Sequence, residues 1–150
     1  MILNFLPPTE ESIPDLLVLM REFYAIDQYP FNLQKASSNI ARLSSEPHLG
    51  EIWLVRAENT IVGYTILTFV FSFEHAGIVA FLDELFLQER YRKLGLGSKI
   101  LTFLTDRAAE LGIVRMHLEL EKHNVPAKEL YGKQGFADTG RWLYAKNIDQ

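Results

Sequence analysis

The spacing of apolar positions divides the chain into predicted helices and predicted strands. Apolar residues that recur every three or four positions, as in a helix with one buried face, predict helices after Ser12, from near Asn32, and over Ser98–Leu111 and Asn124–Lys133. Apolar runs and alternating patterns predict strands at Ile2–Leu6, Ile52–Val55, Ile61–Phe71, Val79–Leu87, Val114–Leu120, Phe136 and Arg141–Lys146.

These segments predict an α/β protein with the order β-α-α-β-β-β-α-β-α-β-β. Strands and helices in this alternation form a mixed sheet with helices on its faces. The chain has 150 residues and shows no internal repeat, low-complexity tract or linker. Because hydrophobic cores of this size form one domain, we expect a single domain over residues 1–150.

Composition excludes several classes of function. The chain has no cysteine, which excludes disulfides, thiolate nucleophiles and Cys-ligated metal and favours a cytoplasmic protein. Its net charge is −4, which disfavours binding to nucleic acid. The most apolar stretch, Ile61–Phe71, is about half as long as a membrane span, and no targeting segment is predicted. The four histidines lack the spacing of metal ligands, so no metal site is expected.

A basic glycine turn connects the fourth predicted strand to the third predicted helix. From Glu89 to Lys99, four basic residues stand against one acidic residue, which gives +3 within an acidic chain. Gly95 and Gly97 leave backbone N–H groups bare at the start of the helix, where such groups and the helix dipole bind phosphate. A capped helix with a solvated basic end is the alternative. The spacing fits neither a P-loop nor a dinucleotide fingerprint, so kinase and dehydrogenase chemistry are not supported.

Two motifs resemble those of the GCN5-related N-acetyltransferases, the GNAT superfamily. Arg92-x-x-Gly95-x-Gly97 resembles the family's motif A, Gln/Arg-x-x-Gly-x-Gly/Ala. The family's motif B is similar to Asn124-x-x-Ala127-x-x-Leu130-Tyr131-x-Lys133-x-Gly135-Phe136. Both motifs stand in the family's order and at its usual separation. The resemblance covers essentially the whole chain, and it implies an acyl-CoA N-acyltransferase fold with a splayed pair of parallel strands.

The resemblance also implies that the cofactor is acetyl-CoA and where it binds. The cofactor would lie where Val79–Leu87 and Val114–Leu120 separate. The pantetheine arm would pair with the strand backbone at Leu85, Phe86 and Leu87. The pyrophosphate would bind at the turn that comprises Arg92, Lys93, Leu94, Gly95, Leu96, Gly97 and Ser98. Asn124 would reach the pantetheine arm or the substrate, or would simply cap its helix.

The same resemblance implies the catalytic residues. Tyr131 matches the family tyrosine near the thioester sulfur, and a phenol with a pKa of about 10 can donate a proton to a departing thiolate. A core tyrosine on a helix face is the alternative. An amine with a pKa of about 10.4 must lose a proton before it attacks, so Glu84, or else Asp83, is expected to act as the base.

The geometry and role of this acidic pair stay open in the sequence. Because neighbours on a strand point to opposite faces, at most one of Asp83 and Glu84 is expected to face the cleft. Either residue could instead bind a cationic substrate, act through water or form hydrogen bonds within the sheet. The absence of cysteine favours direct transfer over an acetyl-enzyme.

In this family the variable helices and loops select the acceptor. Here these segments offer aromatic and acidic candidates for substrate binding, namely Tyr24, Asp27, Tyr29 and Phe73. Such a set suits a small cationic amine, such as a polyamine, an amino sugar or a lysine-like group. The Asp83-Glu84 pair also resembles the acidic pair of diamine acetyltransferases. Core packing under the first two helices is the alternative for the aromatic side chains.

Two other functions remain compatible with the sequence. The first is a CoA- or acetyl-CoA-binding sensor without turnover. The second is an acetyltransferase for protein N-termini or lysine side chains, which would need an open groove for peptide. Because family members often dimerise, the segment Arg141–Tyr144 is also a candidate edge for a homodimer.

Overall fold

The computed structural model describes residues 1–148, which form two compact units, Met1–Glu119 and the chain from Leu120 onward. The elements of the first unit are β1 (Leu3–Leu6), α1 (Ile13–Ile26), α2 (Leu33–Ser45), β2 (Gly50–Ala57), β3 (Thr60–Ser72), β4 (Gly77–Leu87), α3 (Leu96–Glu110) and β5 (Arg115–Leu118). A short 3-10 turn, Glu89–Tyr91, precedes α3. In residues 1–148, no helix has the length and apolar character needed to cross a bilayer.

The strands form one mixed sheet in the order β1-β2-β3-β4-β5, which confirms the predicted fold class. The first four strands pair antiparallel, and β4 pairs parallel with β5 from Val79–Arg115 to Leu82–Leu118. A parallel pair needs a crossover connection, which α3 provides. The pairing places β4 between the long hairpin partner β3 and the short strand β5.

Helices cover both faces of the sheet. The core under α1 and α2 contains Leu16, Leu19, Met20, Ile40, Ile52, Leu54, Tyr64, Ile66 and Phe86. On α3, Phe103 stacks on Phe5 of β1 at 3.9 Å between ring centroids, and Arg107 forms an ion pair with Glu51 of β2. Because side chains alternate along a strand, Glu51 faces α3 while its neighbour Ile52 faces α1 and α2.

A β-bulge interrupts the pairing of β3 with β4. Ile66 pairs with Glu84, but Leu67 pairs with Leu82, so Asp83 is the extra residue on β4. A bulge bends its strand and redirects the side chains around it. Here the bulge falls at the acidic pair singled out in the sequence.

The second unit contains α4 (Val125–Lys133), as predicted. The structure departs from the prediction after this helix, because residues 134–148 contain no strand and the predicted strands at Phe136 and Arg141–Lys146 are not formed. In this segment Trp142 is 83% exposed and Tyr144 is 89% exposed. An apolar alternating pattern yields a strand only where a neighbouring strand pairs with its backbone, and the local sequence does not specify such a partner.

Candidate active site

Glu84 is held in place by two tyrosines. The Tyr64 hydroxyl donates a hydrogen bond to Oε1 of Glu84 at 2.6 Å, and the Tyr24 hydroxyl donates one to Oε2 at 3.0 Å. Tyr64 comes from β3 and is fully buried, whereas Tyr24 comes from α1 and is half-buried. Because each carboxylate oxygen accepts a hydrogen bond from one phenol, the orientation of the Glu84 side chain is fixed.

Burial changes the acidity of this cluster. Desolvation raises the pKa of Glu84, the two phenol hydrogen bonds oppose that rise, and the charge of Asp83 adds to it. Desolvation also raises the pKa of Asp83, although that residue reaches solvent. In turn, burial and the charge of Glu84 raise the pKa of Tyr24 to about 12 and raise the pKa of Tyr64. Glu84 is therefore a better proton acceptor than an ordinary glutamate.

Two adjoining cavities meet at the acidic pair. The larger cavity has a volume of about 660 Å³ and lies between α1, α2 and the sheet, and the smaller cavity has about 440 Å³. Tyr24, Pro30, Asp83 and Glu84 line both cavities. Each volume falls in the range of small-molecule binding sites.

Asp83 and Glu84 both line these cavities, which corrects the expectation that at most one of them would face the cleft. That expectation assumed regular alternation along the strand. The bulge at Asp83 breaks the alternation, so Asp83 and Glu84 line the same walls.

The predicted substrate residues fall into two groups. Asp27 and Tyr29 line the smaller cavity, and Tyr24 lines both cavities besides binding Glu84. Phe73 lies in the connection between β3 and β4, is 92% exposed and lines neither cavity. Tyr64 is a site residue that was not predicted from the sequence. The sequence feature that could have identified Tyr64 is a tyrosine within the most apolar strand, because a buried phenol needs a hydrogen-bond partner.

The end of β4 differs from its beginning in its pairing. The parallel ladder with β5 covers four residue pairs and ends at Leu82 and Leu118. Leu85, Phe86 and Leu87 lie beyond that point and pair with β3 on their other side. The parallel pairing therefore ends before the backbone positions that were predicted to bind the pantetheine arm.

The glycine turn after β4 adopts an uncommon backbone. Gly95 caps α3 in the left-handed region with φ of +75°, so the helix begins at Leu96, two residues before the predicted Ser98. Lys93 also lies in this region, with φ of +60°. Residues other than glycine adopt such angles uncommonly, because the Cβ crowds the backbone. A Cβ at Gly95 would have no neighbour within 4 Å, so conformation, not space, requires the glycine.

Arg92 holds the turn against the strand. Its Nε donates a hydrogen bond to the carbonyl oxygen of Leu87 at 2.7 Å, and its guanidinium lies over the Phe86 ring at 5.6 Å. The side chain therefore connects the start of the turn to the end of β4. Through these two contacts, Arg92 holds the backbone of the turn in position against β4.

The second unit holds the two remaining predicted site residues. Asn124 Oδ1 accepts a hydrogen bond from the backbone N–H of Ala127 at 3.2 Å, so Asn124 caps α4. Tyr131 is half-buried, with its ring 5.7 Å from that of Phe136. Burial raises the pKa of Tyr131, so its phenol stays protonated at neutral pH.

Comparisons with known proteins agree on one family. The sequence profile of the acetyltransferase (GNAT) family matches residues 15–136. The uncharacterized N-acetyltransferase YhfO of Bacillus subtilis is 31% identical over 139 residues, which cover 91% of this chain and 90% of YhfO. The spermine/spermidine N(1)-acetyltransferase of the same organism is 40% identical over 60 residues, which cover 39% of this chain and 40% of that enzyme.

Solved structures share the fold. An integron cassette protein, HFX_CASS3, from the mobile metagenome of Cole Harbour Salt Marsh has a TM-score of 0.87 at 28% identity, covering 97% of this chain and 91% of its own. A predicted acetyltransferase of Clostridium acetobutylicum with acetyl-CoA has a TM-score of 0.76 at 18% identity, covering 97% of this chain and 96% of its own.

Proposed function

The chain belongs to the acetyltransferase (GNAT) family, and from this premise we propose that it transfers the acetyl group of acetyl-CoA directly to a small primary amine. The observation that carries this proposal is Glu84, held by two phenols on the wall of two cavities of small-molecule size. A carboxylate in that position can take a proton from an amine bound beside it.

The residues at the end of β4 fit acetyl-CoA. Leu85, Phe86 and Leu87 offer the backbone with which an extended pantetheine arm could pair, in the manner of an added strand. Gly95 opens a 15-residue helix, whose N-terminal N–H groups suit a pyrophosphate. When bound, acetyl-CoA supplies the acetyl group, and the N–C bond of the product replaces its thioester C–S bond while CoA leaves as a thiol.

Within this proposal, Glu84 is the general base. Acceptor amines reach the protein as ammonium ions, because their pKa is about 10. Glu84 removes a proton from the acceptor nitrogen, either directly or through one water molecule. The phenols of Tyr24 and Tyr64 keep the carboxylate oriented while it takes that proton.

Tyr131 is the proposed general acid, which supplies a proton to the departing sulfur. Its match to motif B and its protonated phenol support this role. We expect Tyr131→Phe to lower kcat by about 10²–10⁴-fold while the Kd for acetyl-CoA changes little. Thiol release and calorimetric titration measure these two quantities, and unchanged turnover would remove Tyr131 from the mechanism.

The acceptor that we propose is a small cationic amine. Carboxylates and aromatic rings share the smaller cavity, where Asp27, Tyr29 and the acidic pair suit an ammonium group. The similarity to a spermine/spermidine acetyltransferase points in the same direction, although it covers only part of the chain. A cavity between two helices and a sheet suits a small molecule better than an extended peptide.

A screen of acceptors tests this function. The purified protein is incubated with acetyl-CoA and, in separate reactions, with polyamines, amino sugars, amino acids and lysine peptides while thiol release is recorded. Release with small amines supports the proposal. Tight CoA binding without release for any acceptor would favour a sensor, and release with peptides alone would favour a protein acetyltransferase.

We further propose a cytoplasmic homodimer. The lack of cysteine supports the location, and the exposed aromatic side chains of the segment after α4 support self-association. Sedimentation at micromolar concentration tests the dimer, since a single species with the mass of one chain would contradict it.

A further inference from the structure

The larger cavity has charges of opposite sign on its walls. Asp83 and Glu84 line it from β4, whereas Lys35 and Arg42 line it from α2, together with the amide of Asn39. The lining contributed by the core is apolar and includes Met20, Phe31, Ile40, Leu43, Ile52 and Ile66. The cavity therefore combines an acidic wall, an apolar middle and a basic wall.

Among residues 1–148, no ion pair joins the acidic wall of the larger cavity to its basic wall. The pKa of both Asp83 and Glu84 is raised, whereas a nearby cation would lower it. Arg42 forms an exposed ion pair with Glu46 at 3.0 Å. Across residues 1–148, no hydrogen bond or ion pair occupies the ammonium group of Lys35. The ammonium group of Lys35 on the basic wall is therefore available to bind a ligand.

This arrangement rests on the proposed transfer of an acetyl group to a small primary amine, but it replaces the purely cationic acceptor in the smaller cavity with one that also carries an anion. We propose that the acceptor in the larger cavity has an amine at one end and an anionic group, carboxylate or phosphate, at the other. The amine lies at Glu84 and the anion at Lys35, with methylene groups against the apolar middle. A diamine of the same length would bring its second ammonium group to the basic wall, where like charges repel.

Acceptors of matched length test the inference. The series is 5-aminopentanoate, 5-aminopentyl phosphate, 1,5-diaminopentane and 1-aminopentane, and kcat/KM is measured by thiol release at saturating acetyl-CoA. We expect the carboxylate or the phosphate to exceed the diamine about tenfold or more, and the better of the two identifies the anion. A higher kcat/KM for the diamine than for both anionic acceptors would overturn the inference.

Substitutions at Lys35, compared with a control on β5, show where the anionic group of the acceptor binds. Lys35→Gln is expected to lower kcat/KM for the preferred anionic acceptor to the level of 1-aminopentane, which has no group to bind at Lys35. Lys35→Glu is expected to turn the preference toward the diamine. Arg115→Gln is the matched control, since it removes a cation from β5 that donates to His117, and all four acceptors should keep their values. Because Lys35 is exposed, these variants should fold.

The possible failures are distinguishable. A preference for anionic acceptors that survives both Lys35→Gln and Arg42→Gln would overturn the assignment to α2. Turnover of the diamine and 1-aminopentane without turnover of either anionic acceptor would overturn the inference and leave the proposed function intact. No thiol release with any amine would reject the proposed function itself.

Discussion

The cavity wall at Glu84 lies on β4 and the glycine turn follows β4 in the chain, but the two regions are built in different ways. The cavity depends on side chains far apart in the chain, since Tyr24 and Glu84 are 60 residues apart and Tyr64 and Glu84 are 20 residues apart. The turn depends on the backbone of consecutive residues, with Lys93 and Gly95 in left-handed conformations. The cavity should therefore be sensitive to changes in chemical groups, and the turn to changes in conformation.

The largest expected effect comes from Glu84→Gln, which keeps the size of the side chain and removes its charge. We expect kcat to fall by about 10²–10⁴-fold, because the amide cannot take a proton from the acceptor. The Kd for acetyl-CoA should stay within about twofold, since the turn is untouched. Thiol release and calorimetry measure the two values. Turnover near that of the wild type would place the base elsewhere.

The next effect comes from Gly95→Ala, which forces a Cβ into the left-handed conformation at the start of α3. Gly112→Ala is a matched control, because Gly112 has φ of +70° and an added Cβ also meets no neighbour within 4 Å. Both variants should lose about 1 kcal/mol of unfolding free energy. Only Gly95→Ala should weaken acetyl-CoA binding, by about tenfold. Equal Kd values for the two variants would show that the turn does not bind the cofactor.

A smaller effect is expected from Tyr64→Phe, which removes one hydrogen bond from Glu84. That bond lowers the pKa of Glu84, so its loss raises the pKa further. Since the base must be deprotonated, the acidic limb of the kcat/KM profile should move to higher pH. Tyr144→Phe, at a residue that is 89% exposed, is the control. A loss of stability with an unmoved pH profile would give Tyr64 a structural role alone.

The smallest effect is expected from Asp83→Asn. Desolvation places the pKa of folded Asp83 above the ordinary value of 3.8, so the wild type loses stability as pH rises from that value through the folded pKa. The asparagine removes this loss, and near neutral pH its Tm should exceed that of the wild type by on the order of 1 °C. Thermal unfolding from pH 3 to pH 7 measures the difference. A Tm difference that does not change with pH would contradict this account.

The sequence predicted the turn better than the cavity for a physical reason. The residues from Arg92 to Gly97 are contiguous, and a phosphate-binding turn requires glycine, basic residues and a helix start within a few positions. The hydrogen bonds of Tyr24 and Tyr64 to Glu84 depend on packing between α1, β3 and β4, which no local pattern encodes.

The prediction of strands has the same limit, because pairing between strands is not encoded in the local sequence. The apolar runs correctly indicated β3 and β4, but the bulge at Asp83 depends on pairing between the two strands. At Arg141–Lys146 the apolar pattern predicted a strand that residues 134–148 do not form. A pattern within one segment identifies its buried positions but not its partner.

Identification of the acetylated product tests whether the acetyl group passes from acetyl-CoA to an amine with Glu84 as the base. The wild type and Glu84→Gln are each incubated with acetyl-CoA that carries a ¹³C-labelled acetyl group and with the acceptor that released the most thiol. Mass spectrometry then quantifies labelled acceptor and free CoA. We expect one labelled acceptor for each CoA released by the wild type and almost none with Glu84→Gln. Release of CoA without labelled acceptor, or equal labelling by the two proteins, would contradict this expectation.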